Sequence, residues 1–341
     1  MTAMTGTAGL EKATVIIPCY NSESTIERAV RSALDQTLPV QVIVVDDCSR
    51  DRSFEIVQAM AASEPRLTSV RQAKNGGPSA ARNTALRLVT TPWVAGLDSD
   101  DYLLPGRMKR LVEHAEAQSV DFVADDLIRL NPGERPEEGY RVWRDEPFGI
   151  VELPTPEFVR QNITKHAGYR REIGYLKPLM RMDFLRQKGL FYNEGMRLSE
   201  DYEFYVRSHI EGARWQIIDP CGYIAVNRQG SLSNAVAAVA LKRIRDADTA
   251  LMQTPGLSAD VRRAIGDHRE YVTTDLAWMN LIDAVKARRP AAALATFGYS
   301  PAVSAALFMR LAKHFLRIPL YPEDAEAGRE PIGASGVAGL T

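Results

Sequence analysis

A chain of 341 residues is long enough for one large α/β domain with a helical appendage, because single cores stop growing near about 250–300 residues. Apolar residues at 45% and charged residues at 25% give the balance of a folded globular chain and exclude general disorder. With 42 Lys and Arg against 43 Asp and Glu there is no global field to hold nucleic acid, so none is expected as a partner. Cys19, Cys48 and Cys221 lack CxxC spacing, which argues against a disulfide framework or a zinc knuckle and for a reducing, cytoplasmic setting.

Residues 1–12 lack the basic start and apolar stretch of a secretory signal and read as a lead-in. Residues 14–18, 42–46, 67–71, 93–98 and 121–128 are short runs rich in β-branched or aromatic residues, as strands buried on both faces should be. Helical patterns fill the gaps, so the spacing predicts an α/β fold, a mostly parallel sheet with helices on both faces. Ser24 and Glu27 form a capping-box pattern before Ile26, Ala29, Val30, Ala33 and Leu34. Pro78 suits the first turn of a second helix, and Pro105 opens another that carries Met108, Leu111, Val112 and Ala115.

Between residues 131 and 156 the pattern dissolves into Pro, Gly, Glu and Arg, which reads as a surface excursion or lid containing Tyr140 and Trp143. Short helices follow near 156–163, 182–188 and 201–211, then strand patterns at 215–218 and 223–226. Residues 235–320 read as a helical C-terminal region and 321–341 as a disordered tail. Residues 290–309 carry no charge, but Gly298 and Pro301 break them, against a membrane span.

In open parallel sheets ligands bind beyond the carboxyl ends of the strands. Three strand ends carry an aromatic or acids there: Pro18, Cys19, Tyr20 and Asn21; then Asp46, Asp47 and Ser49; then Asp98, Ser99, Asp100 and Asp101. Three carboxylates within four residues repel one another unless a cation relieves them. Oxygen ligands without nearby His or Cys suit Mg²⁺ or Mn²⁺, and a solvated acidic turn is the alternative. Asp46 and Asp47 suit either a helix-capping turn or a hydrogen bond to a nucleobase imide, and Tyr20 either stacking on that base or local packing. Glu200 and Asp201 open a helix, where acids complement the dipole or where one serves as a general base.

The ordered runs VIIPCYN, VVDDCS, NGGPSAARN, GLDSDD and SEDYEF resemble the family 2 glycosyltransferases of the GT-A fold over residues 13–233. The resemblance implies a catalytic domain at 13–234, its donor half at 13–130 and its acceptor half at 131–234. It further implies that Pro18, Tyr20 and Asp47 hold the nucleobase, Asp98 the ribose side, and Asp100 with Asp98 a Mn²⁺ or Mg²⁺ bridging the diphosphate. Asp201 is then the catalytic base of an inverting, in-line displacement. Arg82 and Asn83 line the nucleotide pocket or serve helix packing, Asp101 is an outer acid, and Arg228 clamps donor phosphates or is a surface arginine. Among family members the chain looks most like bacterial enzymes that extend lipid-linked exopolysaccharide or lipopolysaccharide. That implies a UDP-hexose donor, UDP-glucose first, a lipid-linked saccharide acceptor and a place at the inner face of the cytoplasmic membrane.

Two rival readings remain. A sugar nucleotidyltransferase shares the sheet and the aspartates but wants a Gly-rich basic loop after the first strand, where this chain has Cys19, Tyr20, Asn21 and Ser22. A non-catalytic sugar-binding or assembly subunit would keep the fold without needing Asp47, Asp98, Asp100 and Asp201. In the C-terminal helices, Val303, Ala306, Leu307, Leu311, Phe315 and Leu316 against Arg310, Lys313, His314 and Arg317 give an amphipathic pattern. It suits peripheral membrane contact, or packing on the catalytic domain or a second subunit. Trp143, Tyr140 and Tyr169 are candidates to stack on an acceptor sugar or to pack locally.

Overall fold

The computed structural model describes residues 11–163, 172–227, 238–316 and 331–332. Strands and helices alternate from the start: β1 (Ala13–Cys19), α1 (Ile26–Leu34), β2 (Val40–Asp46), α2 (Ser53–Ala61), β3 (Leu67–Arg71), α3 (Pro78–Leu88), β4 (Trp93–Gly96) and β5 (Tyr102–Leu103). Next come α4 (Arg107–Gln118), β6 (Phe122–Asp125), β7 (Ile128–Leu130), β8 (Tyr140–Arg141), β9 (Ile150–Glu152), α5 (Thr155–Arg160), β10 (Leu179–Arg181), α6 (Met182–Lys188) and α7 (Glu200–Ile210). The chain continues through β11 (Trp215–Ile218), β12 (Tyr223–Val226), α8 (Ala238–Met252), α9 (Ala259–Lys286), α10 (Pro290–Ala295) and α11 (Pro301–Phe315).

The main sheet has the order β3-β2-β1-β4-β10-β6-β11-β9. Its first four strands are parallel, and β10 runs antiparallel to both β4 and β6. The sequence explains the layering. β1 and β2 are near-continuous apolar runs buried on both faces, and such strands need helices above and below. α1 buries Ile26, Ala29, Val30 and Ala33, and α4 buries Met108, Leu111, Val112 and Ala115, the stripes their spacing predicts. The result is the GT-A arrangement with a helical C-terminal extension.

Several expectations are corrected. Ser24 does not cap α1. Thr25 stands at the N-cap without a side-chain bond, the Ser22 carbonyl accepts the first amides, and Glu27 pairs with Arg31 one turn on. The predicted strand 121–128 divides between sheets, because Asp126 leaves the main sheet and accepts the amides of Trp143 and Arg144. Within the expected lid, residues 131–138 and 145–150 are mostly exposed, as a surface excursion should be, but the middle is core structure. β7 and β8 join β12 and β5 in a small second sheet, and Tyr140, Val142 and Trp143 are buried. Gly139 permits that approach, since a Cβ there would lie 2.5 Å from Leu130 and 2.7 Å from Ile128. Trp143 and Tyr140 therefore pack locally, while Tyr169 lies outside the described residues.

The uncharged segment 290–309 is divided between α10 and α11, and no helix of the described residues is long and apolar enough to cross a membrane. α8 and α9 pack as a hairpin on α7. Tyr202 of α7 donates to Asp248 of α8 (3.2 Å), which also meets His268 of α9 (2.7 Å), and the His268 ring stacks on Tyr202 at 4.2 Å. Of the stretch read as a tail, Pro331 and Ile332 are described, and the Ile332 amide donates to the Gly139 carbonyl.

Candidate active site

The carboxyl ends of β1, β2 and β4 are laced into one rim. Asp47 N–H donates to the Cys19 carbonyl (2.7 Å), Asn21 N–H to Ser49 (3.0 Å) and Arg50 N–H to the Asn21 side chain (2.9 Å). Asn21 and Cys48 sit in left-handed backbone, so both loops turn sharply away from the sheet. Tyr20 is thereby left 44% exposed at the mouth, and Pro18 is half-buried below it, level with Val45.

Asp47 is buried and held from the other side. Its two carboxylate oxygens accept the amides of Gly76 (2.7 Å) and Gly77 (2.8 Å) at the entry to α3. Burial raises its pKa despite the lowering effect of those amides. Beside it, Asp46 accepts the Ser49 amide on Oδ2, while its buried Oδ1 has no hydrogen-bond partner.

The second half of the site is a buried charge cluster. Arg82, on α3, donates to Asp98 (2.9 Å) and to Glu200 (2.7 Å) and lies 3.8 Å from Asp201. Lys177 donates to Asp201 Oδ2 (2.6 Å) and lies 3.1 Å from Asp98. Three acids thus share two cations. Burial pushes Asp98 up, but Lys177 and Arg82 outweigh it and hold the carboxyl below its ordinary range. Glu200 is raised, because burial exceeds the pull of Arg82. Burial works against the charge on Lys177 and Arg82, yet the surrounding carboxylates raise both, so both stay protonated. Asp201 Oδ1 is buried without a hydrogen-bond partner, at the first turn of α7.

The repulsion expected within the Asp98–Asp101 turn is offset only in part by protein groups. Asp98 faces Arg82 and Lys177, and Asp101 accepts the Tyr223 hydroxyl (2.8 Å) and the Val226 amide (2.9 Å). Burial, then the charges of Asp98 and Asp100, push Asp101 up to about 8. Asp100 gives its carbonyl to Arg28 (2.5 Å), and the Tyr223 oxygen also accepts the Asp98 amide (3.1 Å). Among the described residues no three His, Cys, Asp or Glu side chains converge as a cation site. Among the described residues the protein side chains alone therefore form no cage for a divalent ion, and both Asp98 oxygens already face cations.

The structure thus brings Asp98, Arg82 and Asp201 into one cluster and puts Pro18, Tyr20 and Asp47 on the adjoining rim; Arg228 lies outside the described residues. Sequence reasoning missed Lys177 and the pairing of Glu200. The available signal was a lone lysine among Ile173, Tyr175, Leu176, Leu179 and Met180, an apolar setting where a buried cation needs an anion. Lys177 stands in the approach to β10, the antiparallel strand inserted beside β4, and the fully buried Arg107 fixes its carbonyl (2.5 Å) while pairing with Asp125 (2.7 Å).

Residues 14–177 match the model of Glycosyl transferase family 2. The succinoglycan biosynthesis protein ExoU of Rhizobium meliloti is 39% identical over 258 residues, 76% of this chain and 74% of that protein. The succinoglycan biosynthesis protein ExoO of the same organism is 29% identical over 335 residues, 94% of each chain. Among solved structures, S. aureus TarS 1–349 in complex with UDP-GlcNAc aligns with a TM-score of 0.60 at 18% identity, over 84% of this chain and 90% of that one. Against the longer TarS chain the alignment covers 76% of this chain and 43% of TarS. The mannosyltransferase PcManGT from Pyrobaculum calidifontis, in complex with GDP-Man and Mn²⁺, aligns with a TM-score of 0.53 at 19% identity, over 90% of this chain and 88% of that one. At such identities the two structural likenesses concern the fold.

Proposed function

The chain belongs to glycosyl transferase family 2, and from that premise we propose an inverting transferase that moves a hexose from a UDP-sugar, UDP-glucose first, to a hydroxyl of a growing, lipid-linked bacterial exopolysaccharide or surface polysaccharide. The names of ExoU and ExoO support the acceptor class, and the TarS complex with UDP-GlcNAc supports a uridine donor. The observation that carries the chemistry is the buried Oδ1 of Asp201, which accepts no hydrogen bond and lies 3.8 Å from Arg82, while the other oxygen is fixed by Lys177.

In this reading the rim of Tyr20 and Asp47 takes the nucleobase, and Arg82 and Asp98 border the sugar diphosphate. Asp201 Oδ1 takes the proton of the acceptor hydroxyl as its oxygen attacks the anomeric carbon in line with the departing diphosphate, and the configuration inverts. Lys177 holds the carboxylate in one rotamer so that the basic oxygen is the one without a hydrogen bond. A second carboxylate acting as nucleophile is not required. A divalent cation held by Asp100, with Asp98 alongside, and by the diphosphate would neutralise charge on the leaving group.

Calorimetric titration with UDP, UDP-glucose and GDP-mannose, in Mn²⁺ and then in chelator, tests the donor. The expected result is Mn²⁺-dependent UDP binding that Asp100→Asn abolishes and that Asp201→Asn leaves intact while transfer falls by about 10²–10⁴. Preferential binding of GDP-mannose would overturn the uridine donor, and full transfer by Asp201→Asn would overturn the base.

A further inference from the structure

Between Asp283 and Glu323 the sequence holds six cationic residues, Lys286, Arg288, Arg289, Arg310, Lys313 and Arg317, and no Asp or Glu. The chain as a whole carries a net charge of −1, so the rest of the molecule is acidic and this stretch is a separate basic region.

The same stretch exposes its largest apolar side chains. Leu294 is 74% exposed, Phe308 62%, Met309 64%, Phe315 80% and Leu316 70%. Helix α11 has already spent one apolar stripe on the fold, since Val303 and Leu307 pack against Ala277 of α9. Its opposite side carries a second stripe. Ala302, Ala305, Met309, Ala312 and Leu316 recur at alternating spacings of three and four, flanked by Phe308 and Phe315, and all are exposed. One helix face suffices to bind a helix to a core, so the second stripe is surplus to the fold. Arg310 is paired with Asp275 of α9 (2.5 Å), whereas Lys313 of α11 is exposed beside the stripe and Lys286, Arg288 and Arg289 are exposed at the end of α9 and the turn into α10.

We propose that the α10–α11 face docks on an anionic lipid bilayer. The apolar stripe enters the boundary between headgroups and acyl chains, and Lys286, Arg288, Arg289 and Lys313 meet lipid phosphates. Charge decides between this occupant and a second copy of the chain. A two-fold contact would set this cation-rich stretch, which has no acid between Asp283 and Glu323, against itself, whereas an anionic surface supplies its complement. The proposal stands apart from the sugar-transfer reading, because lipid binding is measured without nucleotide or acceptor.

The test is sedimentation of the full chain with vesicles of mixed phosphatidylglycerol and phosphatidylcholine, and with phosphatidylcholine alone. Partition into the mixed vesicles only, weakening as salt is raised, is expected. Joint replacement Phe308→Ser with Phe315→Ser should remove it, and joint Lys286→Gln, Arg288→Gln and Arg289→Gln should lower it on the order of a hundredfold. Phe315, Lys286, Arg288 and Arg289 are exposed, and Phe308 also meets the ring of Phe297 (4.9 Å between centroids), so circular dichroism and melting are run as the control for a retained fold. No partition into either vesicle, equal partition into both, or full binding by either variant would overturn the proposal. A concentration-dependent dimer that the Phe308 and Phe315 replacements convert to monomer would assign the face to a second copy instead.

Discussion

Replacing Lys177 by Met keeps the length of the side chain and removes the ammonium that lies 2.6 Å from Asp201 and 3.1 Å from Asp98. Unpairing a buried charge typically costs about 3–5 kcal/mol, and Arg82, still 2.9 Å from Asp98, places the expected loss near the lower end. The pH dependence follows from Asp98, whose carboxyl is held below its ordinary range by Lys177 and Arg82 against the effect of burial. Such a group contributes stability above its unfolded pKa and loses it as pH falls through the folded value. The deficit of Lys177→Met should therefore be largest at neutral pH and shrink toward acid. Urea unfolding at pH 7 and at pH 4 reads this directly. Steady-state kinetics should show kcat falling, with donor KM less affected, because Asp201 is freed from its rotamer. A deficit under about 1 kcal/mol at neutral pH, or one independent of pH, would refute the paired cluster as described.

Burial lowers His209 from 6.5 to about 3, between the rings of Phe158 and Trp215. The unfolded chain then binds a proton that the folded chain refuses. From this residue, stability should fall by about 1.4 kcal/mol per pH unit below about 6.5, and His209→Phe should remove that slope in acid-unfolding curves. Gly77 has φ +87° and donates its amide to Asp47, so Gly77→Ala should cost about 1–3 kcal/mol by thermal or urea unfolding and weaken UDP binding; unchanged stability would contradict the backbone strain.

Local and contiguous features were legible in the sequence. β1 and β2 announce themselves as near-continuous apolar runs, and the rim residues Tyr20 and Asp47 follow them directly. Glu200 and Asp201 could be picked out as a pair of acids opening a helix, and the family resemblance alone chose Asp201 between them. What stayed hidden depends on distant chain. The partners of Asp98 come from Arg82 and from Lys177, 79 residues on, and no local pattern records that β10 inserts between β4 and β6. The stretch after Asn131 misled for a related reason. Its buried residues are few and isolated among polar ones, and their burial comes from pairing across strands and from Asp126, not from periodicity. At Ser24 the capping pattern was present, but the Ser22 carbonyl took the amides first.

The link from Tyr202 through Asp248 to His268 bears on how this molecule can be cut and recombined. Tyr202 is the neighbour of Asp201, so the helices beyond residue 238 hold the far side of the turn that carries the proposed base. An exchange of C-terminal halves with a relative would have to carry all three positions together. A graft that split them would bury the Asp248 carboxylate without its two partners and loosen α7 at the base itself.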